Sequence, residues 1–244
     1  MNRSNSSENP YRNDSSDRCE RPEVSPAVIR RLPRYFRYLR ELIRRGKKRV
    51  SSREFANMMH ITASQIRQDL NCFGGFGQQG YGYNVDYLYE KICELLGVEK
   101  GLNAVIIGAG DLGRALVRSS IFEKRGVNIL AMFDVKPELV GQTFGNVKIH
   151  DMKELADFCI RMPVDIAVLT LPKEAAEEVS KQLTEQGVTG IWNFTGKDIE
   201  HDATRIAVEN VHLGDSLMYL NYRVCQLSEQ NVLGNQNSRK DGKR

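Results

Sequence analysis

The stretch Val105-Ile106-Ile107-Gly108-Ala109-Gly110-Asp111-Leu112-Gly113 decides the fold of most of the chain. An apolar run of strand length meets a G-x-G-x-x-G turn, and a helix-compatible stretch follows from Leu112 to Phe122. In such a turn the first glycine permits the tight bend, the second lets backbone N–H groups approach a pyrophosphate, and the third lets the helix pack close on the strand. We therefore expect a dinucleotide to be bound by Gly108, Ala109, Gly110, Asp111, Leu112 and Gly113.

An acidic residue further along the chain strengthens this interpretation. A second apolar run, Val127 to Phe133, ends at Asp134, about 20 residues beyond the turn, where a ribose-binding carboxylate belongs in this fold. The alternative is an ordinary glycine turn with a solvated acid, since glycine-rich turns are common. The combination of strand, turn, helix, strand and acid favours the dinucleotide site.

Composition indicates a reduced compartment and a divided charge. The five cysteines are scattered and odd in number, and no apolar run nears the length of a membrane span, so we expect a cytoplasmic protein without disulfides or a metal site. Residues 25–86 carry 12 Lys and Arg against 4 Asp and Glu, whereas residues 87–225 carry 15 against 20. A polyanion partner is thus expected for the first part only.

The basic part contains a predicted helix-turn-helix. Serine and threonine caps at Ser51 and Thr62 open two short helices, to Met59 and to about Cys72, separated by a short turn. The outer face of the second helix presents polar side chains suited to base edges and phosphates. Although such a face can simply be solvated, the basic surroundings favour DNA. The expected DNA contacts are Lys48, Arg53, Ser64, Gln65, Arg67, Gln68 and Asn71.

Glycines interleaved with aromatic residues from Phe73 to Tyr83 predict a β-ribbon, as in the wing of a winged helix. We expect Gln78 and Gln79 at its tip to enter a minor groove. A glycine-rich linker is the alternative, but linkers rarely carry so many aromatic residues. The ribbon is therefore the preferred interpretation.

Beyond the ribbon the chain alternates helices with continuously apolar strands, which predicts a doubly wound parallel sheet. Ligands bind beyond the carboxyl ends of such strands. The residues expected there, beside the nicotinamide half, are Thr170, Leu171, Pro172, Asn193 and Phe194, although ordinary strand-to-helix turns would look the same.

The last predicted helix has an apolar stripe with no partner left in the sheet, which indicates a second subunit. The chain is thus divided into an N-terminal winged helix-turn-helix and a C-terminal α/β Rossmann domain, followed by a C-terminal dimerisation helix. The expected segments are a disordered tail at 1–24, a DNA-binding domain at 25–86, a nucleotide-binding domain at 87–213, the dimerisation helix at 214–227 and a second disordered tail at 228–244.

Residues 25–225 resemble the Rex family of bacterial redox-sensing transcriptional repressors. The matching stretches are Arg31 to Tyr35, Ser64 to Leu70, Phe73-Gly74, Gly80 to Val85, Gly108 to Gly113 and Ile191 to Phe194. The resemblance implies a homodimer in which the last helix swaps onto the partner. It also implies binding to palindromic operator DNA, release by NADH, and competition by NAD⁺.

The chain departs from this family at two places. Family members carry arginine or lysine at the wing tip, where Gln78 and Gln79 stand here. Some members couple a tyrosine and an aspartate near the nicotinamide to an arginine of the winged helix. The arginine matches Arg37, but the other positions hold Ser119 and His212; Asp215 could substitute. The switch residues expected here are therefore Arg37, His212 and Asp215.

The competing hypothesis is an NAD-dependent dehydrogenase with a basic N-terminal module. A dehydrogenase needs an acid or base within reach of the substrate. The candidates after the first strand are His150, His201 and His212, and none belongs to a recognisable catalytic pattern. We therefore expect no enzymatic activity, with NADH and NAD⁺ acting as ligands rather than redox substrates.

Overall fold

A computed structural model describes residues 24–71, 77–78 and 82–241, with side chains described at 24–71 and 82–228. The chain divides into two compact units, Met1–Gly97 and Val98–Arg244. The predicted boundary after residue 86 falls within the helix Val85–Leu96, which belongs to the first unit. Residues 1–23 of the predicted N-terminal tail lie outside the described residues.

The first unit is built from helices around a small sheet. Its helices are α1 (Pro26–Ile29), α2 (Leu32–Arg44), α3 (Ser52–Met59), α4 (Ala63–Asn71) and α5 (Val85–Leu96). Its strands are β1 (Arg49–Val50), β2 (Gly77–Gln78) and β3 (Gly82–Asn84), in the antiparallel order β1-β3-β2. The pairing of β2 with β3 confirms the predicted ribbon.

The first unit begins with two helices that are separated by Arg30 and Arg31. The helix α1 ends at Ile29, and α2 begins at Leu32 with Pro33 in its first turn. Proline lacks an N–H group and is tolerated where helical N–H groups have no partner anyway, so the helix restarts there. The buried face of α2 includes Phe36, whose ring stacks on Tyr89 of α5 at 5.2 Å. This contact ties α5 to the first unit.

The serine cap predicted for α3 is present, since the Ser51 hydroxyl accepts a hydrogen bond from the N–H group of Glu54 at 3.1 Å. Between α3 and α4, Thr62 accepts from the N–H group of Gln65 at 3.1 Å. The face of α4 opposite its predicted polar face is buried through Ile66 and Leu70. The helix-turn-helix is thereby confirmed.

The second unit is a doubly wound sheet of order β10-β9-β8-β4-β5-β7-β6. All neighbours are parallel except the edge pair β6–β7, which the sequence did not predict. The strands are β4 (Leu102–Ile107), β5 (Val127–Asp134), β6 (Thr143–Phe144), β7 (Val147–Asp151), β8 (Ile166–Leu169), β9 (Gly190–Asn193) and β10 (Ala207–Asn210). The Rossmann prediction is confirmed.

Helices cover both faces of this sheet. They are α6 (Asp111–Arg118), α7 (Leu155–Arg161) and α8 (Ala176–Glu185), with short 3₁₀ turns at Glu123–Arg125 and Met152–Glu154. One core cluster includes Leu155 and Leu183 from the helices α7 and α8, and the other includes Met132 and Phe122 with Leu116 of α6 packed against it. The chain order reverses between β4 and β8, which places the topological switch point at the carboxyl ends of those two strands.

The last helix, α9, runs from Leu213 to Asp241. It continues past residue 227, so the prediction of a disordered tail from 228 is wrong for the residues described there. Its large apolar side chains are mostly exposed within this single chain; they are Leu213, Leu217, Met218, Tyr219, Leu220, Tyr222, Val224 and Leu227. None of the described helices is long and apolar enough to cross a membrane.

Candidate functional site

The glycine turn after β4 has three different glycine environments. Gly108 adopts a φ of +104°, and a Cβ there would lie 2.6 Å from the carbonyl oxygen of Thr170. A Cβ on Gly113 would lie 2.2 Å from the carbonyl oxygen of Gly108. A Cβ on Gly110 would meet nothing within 4 Å. The first and third glycines are therefore required by packing, whereas Gly110 borders open space.

The N-terminus of α6 faces this open space. The helix begins at Asp111, and Gly110 is its N-cap without a side-chain hydrogen bond. Its first N–H groups have no partner within the helix, and the helix dipole adds positive potential there. Arg114 donates from Nε to the carbonyl of Ala109 at 2.8 Å, and this hydrogen bond links the helix to the turn. Such a helix start is suited to a pyrophosphate.

The carboxylate at the end of β5 is held against the same turn. Oδ2 of Asp134 accepts a hydrogen bond from the N–H group of Ala109 at 2.7 Å, and Oδ1 accepts from the N–H group of Lys136 at 3.0 Å. Each oxygen keeps a further lone pair for a ligand hydroxyl. Asp134 thus lies next to the phosphate-binding turn, as its spacing in the sequence predicted.

These residues border a cleft of about 340 Å³ at the switch point. The Thr170 hydroxyl donates to the carbonyl of Gly108 at 2.8 Å and so joins the ends of β4 and β8. Among the residues described, the lining is Ile107, Gly108, Gly110, Phe133, Asp134, Val135, Lys136, Met152, Thr170, Leu171, Pro172, Ala175 and Val179. The only titratable side chains in this described lining are those of Asp134 and Lys136, at the end where an adenosine ribose would lie.

Asn193 and Phe194 do not face this cleft. The Asn193 amide is buried; it donates to the carbonyl of Lys197 at 2.6 Å and to Asn210 Oδ1 at 2.7 Å. Its oxygen accepts from the N–H and hydroxyl groups of Thr195. The ring of Phe194 packs on Trp192 at 4.6 Å. The polar groups of Asn193 and the ring of Phe194 are thus engaged within the fold, and their contact with the ligand stays a prediction.

On the candidate DNA surface, the exposed residues of α3 and α4 include Arg53, Ser64, Arg67, Gln68 and Asn71, as expected. The Arg67 guanidinium lies 3.3 Å from the Ser52 hydroxyl. Lys48 is also exposed, and it forms an ion pair with Asp86 at 3.0 Å. The side chains of Gln78 and Gln79 lie outside the described residues.

Gln65 points into the domain rather than outwards. Its Nε2 donates to Oδ1 of Asp69 at 2.7 Å. Asp69 is fully buried, and Arg31 donates to both of its oxygens, from Nε at 2.7 Å and from Nη2 at 2.8 Å. The Tyr35 hydroxyl donates to Oδ2 at 2.9 Å. The Gln65 amide thus serves this internal cluster, and its contact with DNA stays a prediction.

The charge of Asp69 is stabilised inside the domain. Burial opposes its ionisation, but the hydrogen bonds from Arg31, Gln65 and Tyr35 outweigh burial and hold the pKa of the carboxyl below its usual value. Burial and the bond to Asp69 raise the pKa of Tyr35, which remains a neutral donor. Sequence reasoning missed this cluster; the signal was an acid at a position of α4 where helical periodicity predicts an inward side chain.

The three expected switch residues have different surroundings. Arg37 is exposed, and its guanidinium lies 5.5 Å from the centre of the Tyr38 ring. Nε2 of His212 lies 2.9 Å from Oδ1 of Asp198. Asp215 is exposed in the first turn of α9.

A helix-turn-helix unit with a β-ribbon, followed by a nucleotide-binding Rossmann unit, defines the class of ligand-responsive DNA-binding proteins. Family models agree with this division. Residues 23–71 match a model described as a putative DNA-binding protein N-terminus, and residues 99–196 match one described as a CoA binding domain. The chain belongs to the Rex family of redox-sensing transcriptional repressors, as the following relatives show.

One relative, the redox-sensing transcriptional repressor Rex of Caldicellulosiruptor saccharolyticus, is 48% identical over 84% of this chain and 93% of its own length. The Rex repressor of Clostridioides difficile is 47% identical over 82% of this chain and 94% of its own.

Solved structures agree. A crystal structure of RSP with β-NAD⁺ and operator DNA is 47% identical, with a TM-score of 0.79, and the match covers 87% of this chain and 97% of that one. RSP with β-NADH also has a TM-score of 0.79, at 44% identity, and the match covers 86% of this chain and 99% of that one.

Proposed function

We propose that this protein is a cytoplasmic repressor that binds palindromic operator DNA and is released from it by NADH, while NAD⁺ competes for the same cleft. The observation that carries the proposal is the dinucleotide cleft itself. Its described lining provides a ribose acceptor in Asp134 and a phosphate turn at Gly110. Around Thr170, Leu171 and Pro172 it offers no acid or base to a substrate. Such a cleft supports binding without turnover, so a dehydrogenase role is not favoured.

Dimerisation is part of the proposal. The exposed apolar stripe of α9, from Leu213 to Leu227, is a large patch for a single soluble chain, which argues for burial against a second copy. A twofold dimer would present two α4 helices to half-sites about one helical turn apart. NADH would then release DNA by changing their separation, since a ligand shifts an equilibrium only through its different affinities for the two states.

The proposed coupling runs through Arg37, with Asp215 as its partner in the DNA-competent state. Asp215→Ala should leave NADH affinity largely unchanged and lower operator affinity, because Asp215 lies outside the cleft lining. Calorimetry with NADH and a gel shift with operator measure the two quantities separately. If the variant binds operator as tightly as the parent and responds normally to NADH, the coupling uses other contacts.

The decisive experiment is a fluorescence-anisotropy titration of the full chain with a duplex that the parent selects from a random library. Adding NADH should lower operator affinity at least about tenfold, the scale of a typical coupling free energy. NAD⁺ at saturating concentration should reduce that effect by competition. Coenzyme A should be titrated in the same way, because it shares with NADH the adenosine diphosphate group that such a cleft recognises. Release by coenzyme A but not by NADH would contradict the assignment.

A further inference from the structure

We propose that Asp69, Arg31 and Tyr35 are positioning residues that fix the orientation of α4 for reading operator DNA. The inference rests on the proposed function, because it concerns how selectively the protein reads DNA. It starts from an unusual placement: a fully buried carboxylate within the helix whose neighbouring positions Arg67 and Gln68 are exposed. Charged residues are almost never fully buried unless they are paired.

The geometry of the cluster restricts how α4 can move. Arg31 grips both oxygens of Asp69, at 2.7 and 2.8 Å, and a planar guanidinium in this two-bond arrangement fixes both distance and direction. The apolar contacts of Ile66 and Leu70 are not directional and would tolerate a small slide or rotation. Base contacts require donor–acceptor distances within a few tenths of an ångström. The ion pair therefore supplies the precision that apolar packing lacks.

A second arginine near the start of α2 supports this role. Arg34 donates from Nη2 to the carbonyl of Met59 at 2.6 Å, at the end of α3. The next residue, His60, closes that helix in the left-handed conformation, with a φ of +52°. Side chains that extend from the start of α2 thus hold both helices of the helix-turn-helix. Both arginines are half-buried, and their guanidinium groups donate to acceptors within the domain.

A role in stability alone would not account for the cluster. Replacing a buried ion pair with apolar residues of similar volume is often neutral or stabilising, because the charges no longer lose their hydration. Stability and positioning can therefore be separated. An apolar cluster should keep the domain folded but lose the directional constraint on α4.

The test is the triple variant Arg31→Met/Tyr35→Phe/Asp69→Leu in the full chain. Its melting temperature should equal or exceed that of the parent. Its affinity for the selected operator duplex should fall at least about tenfold. Its affinity for a scrambled duplex should change less than about threefold, and the salt slope should stay unchanged, because a positioning residue neutralises no phosphate. Arg45→Met is the control for the loss of an arginine charge, since it removes one exposed positive charge from the C-cap of α2.

A second variant protects the test against a failure to fold. Asp69→Asn keeps the size of the side chain but leaves Arg31, whose side chain is 27% exposed, without its counter-charge. It should also reduce the ratio of operator to scrambled affinity. Folded variants with the parental ratio would overturn the proposal. Equal losses on both duplexes with a smaller salt slope would overturn it too, because Arg31 would then be a phosphate contact. If the parent itself does not distinguish the two duplexes, the proposed function fails instead.

Discussion

Gly110→Val should abolish NADH binding without weakening the fold. Gly110 has a φ of −73° and a ψ of −171°, which any residue adopts, and a Cβ there meets nothing within 4 Å. An alanine-like N-cap costs about 0.5–1 kcal/mol relative to a good one, and replacing glycine returns about 0.4–1 kcal/mol through the unfolded state. These terms nearly cancel, so the melting temperature should stay within about 2 °C of the parent.

Gly113→Ala is the matched control, because its methyl group enters the protein rather than the cleft. The Cβ would lie 2.2 Å from the carbonyl oxygen of Gly108 and 2.9 Å from Oγ1 of Thr170. Overpacking of this kind costs about 1–3 kcal/mol or more, against about 1 kcal/mol gained in helix propensity. A net loss of about 2 kcal/mol would lower the melting temperature by about 4–8 °C.

Thermal unfolding with and without NADH measures both the stability of each variant and its binding of NADH. At a hundred times its dissociation constant, NADH stabilises the parent by about 2.7 kcal/mol, which raises the melting temperature by about 5–11 °C. The valine side chain occupies the space in front of α6, so this rise should vanish in Gly110→Val while operator binding persists. A parental NADH-induced rise in that variant would show that the dinucleotide lies elsewhere, and the reasoning from the turn would be refuted.

Three further predictions concern single side chains. The full chain should bind NADH much more tightly than NADPH, because a 2′-phosphate would meet the carboxylate of Asp134; equal affinities by calorimetry would contradict this and implicate Lys136. Arg67→Ala should weaken operator binding by about 1–3 kcal/mol if Arg67 contacts a base, whereas equal losses on all DNA with a salt slope lower by about one unit would identify a phosphate contact. No change on any DNA would argue against α4 as the reading helix. The pKa of Asp69 is lowered in the folded state. The contribution of its carboxylate to the free energy of unfolding is therefore complete above the unfolded pKa of about 3.9, and it is lost as the pH falls through the folded pKa. Asp69→Asn should remove this part of the acid sensitivity in denaturant titrations, and identical pH profiles would count against it.

The sequence by itself determined the elements and the nucleotide-binding turn. Hydrophobic periodicity, serine and threonine caps and glycine spacing are local signals, so they predicted the helix-turn-helix, the β-ribbon and the parallel sheet. The spacing from Gly113 to Asp134 was equally informative, because it reflects one strand–helix–strand unit of nearly fixed length. Local chemistry also gave the separate roles of Gly108 and Gly113.

Tertiary structure decided which polar side chains remain available for ligands. Asn193 and Gln65 looked like binding residues, but groups within the fold use their amides. Asn193 donates to Asn210 on a neighbouring strand, and Gln65 donates to Asp69 one helical turn further along α4. Asp69 itself receives Arg31 and Tyr35 from more than thirty positions away. A hydrogen bond depends on distances of about 3 Å, and helical or strand periodicity carries no information about which side chains of different elements come that close. The sequence therefore predicted the surfaces, and only the packed structure determined which of their side chains are already engaged within the protein.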